Sequence, residues 1–242
     1  MRQAGQIVAQ VLQNLEPLIR PGITTGELDR EAETIIRRLG GEPAFKGYRG
    51  FPAAICTSVN EEVVHGIPGP RVLKEGDIVG VDVGAKVSGY FGDGARTFGV
   101  GTIGEEAGRL IQVTREALAR GIQQAVLGGR LSNISFAIQS YVESFGYSVV
   151  RDFVGHGIGS QIHQDPQVPN FGSPNHGVEL KEGMALAIEP MVNVGGAEVL
   201  VLDDGWTVVT KDRKLSCHFE HTVVIGEGPP EILTEWRPRK NL

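Results

Sequence analysis

The feature that most constrains this chain is an internal repeat of long period. Residues 73–76 read Leu-Lys-Glu-Gly, and residues 180–183 read Leu-Lys-Glu-Gly again, 107 positions later. In that register the run Ile78-Val79-Gly80-Val81, closed by Asp82, falls on Ala185-Leu186-Ala187-Ile188, closed by Glu189. Residues 22–40 match 128–146 at an offset of 106, so that Leu28, Ala32, Ile36 and Leu39 land on Ile134, Ile138, Val142 and Phe145. Spaced i, i+4, i+8, i+11, each set forms one stripe of an amphipathic helix. His65-Gly66-Ile67 echoes His156-Gly157-Ile158 at an offset of 91, which implies loops of unequal length between. Recurrence in one order points to a duplicated unit, with pseudo-symmetric halves at about 1–103 and 104–242.

Each half reads as two helices followed by strands. A first helix is expected over 2–19, with Ile7, Val8, Val11, Leu12 and Leu15 on one face. Its counterpart, 105–127, carries Leu110, Ile111, Thr114, Ala117 and Leu118. The second helix starts at a capping box of Thr24 and Glu27 and stops at Gly40; in the other half Ser132 is the expected N-cap and Gly146 the stop. Strands are expected at 53–59, 77–83 and 90–98, then at 148–153, 184–188, 198–202, 207–210 and 219–225. Helices and strands therefore segregate, which favours α+β layers over alternating βαβ units. No Pro/Ser/Gly-rich linker divides the halves, so 1–242 is expected to be a single catalytic domain.

Composition narrows the function classes. With 23 Lys+Arg against 29 Asp+Glu the formal charge is −6, and no basic run exceeds two residues, which argues against nucleic acid or an anionic membrane as partner. No apolar stretch approaches the ~20 residues of a membrane span. Glu16 and Pro17 stand where a signal peptide would have its apolar core. Cys56 and Cys217 form no CxxC pair, and a cytoplasmic protein is expected. The 34 glycines in 242 residues are about twice the usual ~7%, and belong to turns and tight backbone passages.

A repeat that sets Asp82 opposite Glu189 places acids from both halves near the pseudo-symmetry axis. Asp93 follows a hairpin centred on Ser88-Gly89. One continuous strand would hold Asp82 and Asp93 about 36 Å apart, whereas the turn folds them side by side. His156 lies in Gly155-His156-Gly157-Ile158-Gly159, where glycines permit close approach, and Glu220 lies in an apolar strand. Singly, each has a plainer reading: Asp93 as a turn aspartate, His156 as a loop histidine, Glu189 as a strand-end acid, Glu220 on a solvated face. Jointly, four carboxylates and an imidazole match a dinuclear site of hard-to-borderline donors, and four negative charges balance two dications. Such a pair would activate water and polarise a carbonyl. His65 and His163 cannot be counted as ligands from spacing; His163 reads as a substrate-holding or oxyanion-stabilising group, or as a surface histidine. His218 and His221 flank Glu220 and are expected to orient it or to face solvent. No G-x-S-x-G, GxxxxGK[ST] or HExxH occurs.

The combination Val64-His65-Gly66-Ile67-Pro68, Asp82 with Asp93, Gly155-His156-Gly157-Ile158-Gly159, Ile188-Glu189-Pro190-Met191 and Glu220-His221-Thr222 resembles the type I methionine aminopeptidases, from the first helix to about Leu233. The resemblance implies the pita-bread fold, a central antiparallel sheet covered by helices. It implies two divalent ions (Co, Mn, Fe, Zn or Ni) on Asp82, Asp93, His156, Glu189 and Glu220, with Asp93 and Glu220 bridging. Glu189 would accept a proton from the bridging water, His163 would steady the tetrahedral intermediate, and His65 would contact the amide on the leaving side. Tyr48, Phe51, Cys56 and Trp206 would line the methionine pocket. Two departures, Ile162 where bacterial relatives often have an aromatic and Phe45 where some have cysteine, touch pocket shape and leave the ligands alone. The implied activity is removal of an N-terminal methionine from peptides and nascent proteins whose second residue is small. The expected form is a monomer, with the ribosome a partner to be tested. Two other readings stay open: a peptidase selective for proline at the second position, and a non-catalytic binding protein on the same fold.

Overall fold

The computed structural model describes residues 1–235. Two helices come first, α1 (Arg2–Leu15) and α2 (Thr25–Arg38), followed by strands β1 (Glu42–Pro43), β2 (Ile55–Val59), β3 (Glu62–Val64), β4 (Ile78–Val87) and β5 (Tyr90–Gly99). The pattern then recurs with α3 (Glu105–Gln123) and α4 (Leu131–Glu143). After them come β6 (Ser148–Val149), β7 (Gly155–Gly157), β8 (Gln164–Val168), β9 (Ala185–Ile188) and β10 (Met191–Asn193). The chain closes with β11 (Val199–Val201), β12 (Val208–Thr210), β13 (Ser216–His218), β14 (His221–Val224) and β15 (Glu231–Ile232).

Two antiparallel sheets carry the halves. In the first, β1 and β2 share one edge of β4 and β5 pairs along the other; the second runs β15-β14-β9-β7-β8. Alternation assigns their faces. Val79, Val81, Val83 and Ala85 of β4 join Val8, Leu28 and Ile36 of α1 and α2 in one core. Leu186, Ile188 and Val223 join Leu110, Ile134 and Ile138 of α3 and α4 in another. Val79 and Val81 are the repeat counterparts of Leu186 and Ile188, so the duplication preserves which strand face meets the helices. The opposite face, holding Asp82 and Glu189, is left for the site.

The expected helix stripes are buried as read. Leu28, Ala32 and Ile36, and likewise Ile134, Ile138 and Val142, are fully covered. Gly40 (φ 81°) and Gly146 (φ 79°) both follow the second helix of their half in the left-handed conformation that glycine adopts without strain. Several boundaries move. α1 ends at Leu15 because Pro17, with no N–H to give, turns the chain into a single 3-10 turn, Glu16–Leu18. α3 ends at Gln123 rather than 127, and the strand expected at 148–153 pairs only over Ser148–Val149. Ser132 is no cap: α4 begins after Arg130, and the Ser132 hydroxyl accepts the His176 N–H at 2.7 Å. Strands β1, β3, β7, β10, β13 and β15 carry two or three residues, too few for alternation to reveal them, and β8, Gln164–Val168, shows no apolar alternation.

Two further expectations are corrected. The strand expected at 219–225 is broken at Phe219–Glu220. Glu220 turns aside there because its N–H and C=O pair with Ala95 of β5, at 2.8 and 3.3 Å, joining the sheets of the two halves. Nor is the His65/His156 echo part of the duplication. β7 pairs with β9 as β2 pairs with β4, so His156 answers to β2. His65 lies past β3 in a loop, in the left-handed region at φ 60°.

Candidate active site

Where the two sheets meet, their helix-free faces form the wall of a cleft of about 740 Å³. β4 and β5 bring in the first pair of acids. Asp82 lies across from Ala95 and Gly84 across from Asp93, so Asp82 and Asp93 share a face one pleat apart. The second half delivers its groups from three segments. His156 on β7 lies opposite Ala187 of β9, two residues before Glu189, and Glu220 sits at the break before β14. Thr222, one alternation beyond Glu220, accepts the Asp93 N–H at 3.0 Å and donates its hydroxyl to the Asp93 carbonyl at 2.7 Å, clamping β5 to β14.

These side chains converge. Asp93, His156 and Glu220 each offer a ligand atom within 4.8 Å of the other two, and all three are buried. His156 Nε2 lies 3.6 Å from Glu189 Oε1 and 3.9 Å from Asp93 Oδ2. His156 Nδ1 is 2.9 Å from the Gly157 carbonyl, a contact that takes the ring proton and leaves Nε2 as a lone-pair donor toward the acids. Gly157 tolerates no side chain, because a Cβ there would collide with the Asp165 carbonyl.

The electrostatics are those of acids crowded without a counter-charge. Burial, then the neighbouring carboxyls of Asp93 and Glu189, hold Asp82 well above the usual carboxylate range. Burial lifts Asp93 to about 7. Burial and Asp93 raise Glu189 well up, and Glu220 is raised by burial and then by Asp93, Glu189 and Asp82. Burial lowers His156 to about 4 and keeps it neutral, the form that binds metals. Oδ1 of Asp82, Oδ1 of Asp93 and Oε1 of Glu220 are buried with no hydrogen-bond partner among the described residues. Buried carboxylate oxygens of this kind require cationic partners. The donor set, oxygens plus one imidazole, fits a divalent metal.

Around this floor the cleft has two walls. On one, His163 Nδ1 meets the Tyr48 hydroxyl at 2.9 Å, and its ring packs 4.3 Å from that of His156. Desolvation, then the charge of Arg49, lowers the His163 pKa. On the other, His65 stands edge-on to Phe153 at 5.6 Å and to Trp206 at 6.3 Å, with its pKa pushed by burial to about 4. Phe51 meets Trp206 edge-on at 5.0 Å, and Cys56, directly across from Asp82 on β2, is buried beside them. Phe45 and Ile162 complete this apolar cluster, Phe45 resting where any Cβ on Gly84 would lie 2.5 Å from its ring.

The eleven residues expected to hold metal, act in catalysis or line the methionine pocket all line one cleft. Phe153 and Arg49, on its walls, were not singled out; the adjacency of Phe153 to Gly155-His156 was the available signal. His218 and His221 do not orient Glu220. His221 Nδ1 meets Thr234 Oγ1 at 2.9 Å, and His218 Nε2 lies 3.7 Å from Glu189 Oε2.

Crowded acids, a neutral imidazole and an adjoining apolar recess on a duplicated sheet define a metal-dependent hydrolase site. The comparisons agree: the chain belongs to metallopeptidase family M24, whose profile matches residues 1–227. It is 58% identical over 235 residues to a methionine aminopeptidase of Clostridium acetobutylicum, covering 97% of this chain and 94% of that one. Methionine aminopeptidase 1 of Bacillus subtilis is 56% identical, with 97% and 94% covered. The crystal structure of a Thermotoga maritima methionine aminopeptidase superposes with a TM-score of 0.96 at 50% identity, over 97% of this chain and 95% of that one. A Pyrococcus furiosus prolidase shares the pita-bread fold alone, with a TM-score of 0.78 at 23% identity, over 98% of this chain and 63% of that one. The α+β expectation is thereby met, and no helix of the described residues is long and apolar enough to cross a membrane.

Proposed function

We propose that this chain is a methionyl aminopeptidase that removes the N-terminal methionine from peptides and nascent proteins whose second residue is small. The observation that carries the reading is the buried Asp93–His156–Glu220 cluster with its partnerless carboxylate oxygens, set against an apolar recess. Asp82, Asp93, His156, Glu189 and Glu220 would hold two divalent ions drawn from Co, Mn, Fe, Zn or Ni. When bound, these supply an activated water and a Lewis acid for the scissile carbonyl.

The chain's own groups do the rest. Glu189, beside the site where the water is activated, takes the proton of the attacking water and passes it toward the leaving amine. His163, held through Nδ1 by Tyr48, donates from Nε2 as negative charge develops on the carbonyl oxygen. His65, from the opposite wall, contacts the amide on the leaving side. The recess of Tyr48, Phe51, Cys56 and Trp206 takes the methionine side chain and keeps water from it. An apolar recess of this kind favours an unbranched apolar side chain over a charged one. Residues 1–242 are proposed to act as one catalytic domain, of which 236–242 lie outside the described residues. The enzyme is proposed to work as a cytoplasmic monomer, with docking at the ribosome as a further point to test.

The test is release of free methionine from Met-Ala-Ser and Met-Arg-Ser, beside an Ala-Pro-Ser control, after chelation and readdition of Mn²⁺ or Co²⁺. Cleavage of Met-Ala-Ser, restored by metal, is expected. Cleavage of the proline peptide instead would keep the metal chemistry and overturn the substrate.

A further inference from the structure

His218 is 4% exposed, and its Nε2 has no hydrogen-bond partner among the described residues. A polar nitrogen cut off from water and left unpaired is destabilising, so what it faces matters. It faces Glu189. Nε2 of His218 lies 3.7 Å from Oε2, while Oε1 of the same carboxylate lies 3.6 Å from Nε2 of His156. Glu189 thus lies between two imidazoles, one near each oxygen and each just beyond hydrogen-bond length. Only His156 belongs to the cluster with Asp93 and Glu220. His218 reaches its place through the backbone. It pairs with Met191 of β10, two residues beyond Glu189, and the hydroxyl of Thr97 on β5 bridges its peptide. That hydroxyl accepts the His218 N–H at 3.1 Å and donates to the His218 carbonyl at 2.8 Å. The backbone from which the ring projects is therefore fixed, and the ring itself is enclosed by its burial.

We infer that His218 is a positioning residue for Glu189, donating from Nε2–H to Oε2 and so leaving Oε1 to the His156 side of the site. Once Glu189 is ionised as a metal ligand, a lone pair turned toward it would be repelled, so the ring nitrogen facing Oε2 carries the proton. The inference rests on the proposed role of Glu189 as ligand and proton acceptor. Outer groups that orient a ligating carboxylate are worth about 10–100-fold in metal affinity or activity.

The experiment compares His218→Met, which fills the space without a donor, with His218→Gln, which keeps an N–H. Each chelated protein is titrated with Mn²⁺ by calorimetry, and kcat and KM are measured on Met-Ala-Ser. His218→Met is expected to bind Mn²⁺ about 10–100-fold more weakly and to lose kcat by a similar factor, with KM within about twofold. His218→Gln recovers most of both. Mn²⁺ affinity equal to the parent's in His218→Met, or a Gln variant no better than the Met variant, would overturn the inference and leave His218 as packing. Should His218→Met not fold, Thr97→Val loosens the tether instead. A several-fold loss of Mn²⁺ affinity is then expected, and none would count against the inference. If the parent itself fails to cleave, the functional reading fails, while the Mn²⁺ titrations still decide the role of His218.

Discussion

The two halves of this molecule share a scaffold and differ in how they present acids. Their matching loops are bonded alike: the Gly22 N–H reaches the Leu73 carbonyl at 2.9 Å, and the Gly128 N–H reaches the Leu180 carbonyl at 2.9 Å. Isolated bridges join Thr24 to Val72 and Arg130 to Glu179 in corresponding places. The sheets then diverge. The first half keeps an unbroken hairpin, β4 and β5, paired over ten residues of each strand, and lays both aspartates on one face of it. The second interrupts its strands directly after Ile188 and around Glu220, and draws His156, Glu189 and Glu220 from three separate segments. Duplication therefore preserves the core, where any change meets close packing, and lets the open face vary. An unbroken hairpin sets two like side chains at a fixed spacing, whereas broken strands let dissimilar ones converge on them.

The largest effect is expected from breaking either contribution. Asp93→Asn in the hairpin and Glu220→Gln at the break should each lose bound metal and lower kcat by about a thousandfold or more. Metal analysis of the purified variants with initial rates on Met-Ala-Ser checks this, and a variant retaining full metal and activity would dissolve the claim that both halves complete one centre. His163→Ala, on the cleft wall, should lower kcat by about 10²–10³-fold with metal content unchanged. Loss of metal in that variant would move His163 into the ligand set.

Core substitutions sharpen the likeness of the halves. Leu28→Ala and Ile134→Ala remove counterparts that are both fully buried, and each should cost about 2–5 kcal/mol in denaturant unfolding. A cost in one half alone would show that only that half limits stability. The pH dependence tests the acid cluster. Because Asp93 is raised to about 7, its contribution to the metal-free fold is complete below about pH 4 and is lost as pH rises through about 7. Bound metal offsets the cost of burying that charge, so the Tm gap between Mn²⁺-loaded and chelated protein should widen from pH 6 to pH 8. A gap that closes over this range contradicts the assignment. The smallest effect separates the second helices. Thr24→Ala removes a capping box in which the hydroxyl accepts the Glu27 N–H at 3.2 Å and should cost about 1 kcal/mol. Ser132→Ala loses no helix cap but does lose the exposed His176 N–H bond, and should cost less than Thr24→Ala, about 0.5 kcal/mol.

The sequence by itself determined the duplication, the buried stripe of each helix and the strand faces of Asp82 and Glu189, because periods of 3.6 and 2 are local and survive in a single chain. It also held the identity of the acids: a carboxylate closing an apolar strand needs a reason to be there, and Asp82 and Glu189 stand in equivalent places. Only the tertiary structure decided which strands lie side by side. The break at Phe219–Glu220 arises from pairing with Ala95, 125 residues away, which no window of sequence reveals. For the same reason His218 reads as a neighbour of Glu220 two residues on, yet its ring faces Glu189. Position along a strand fixes a side chain's face, while its partners are chosen by the strands folded against it.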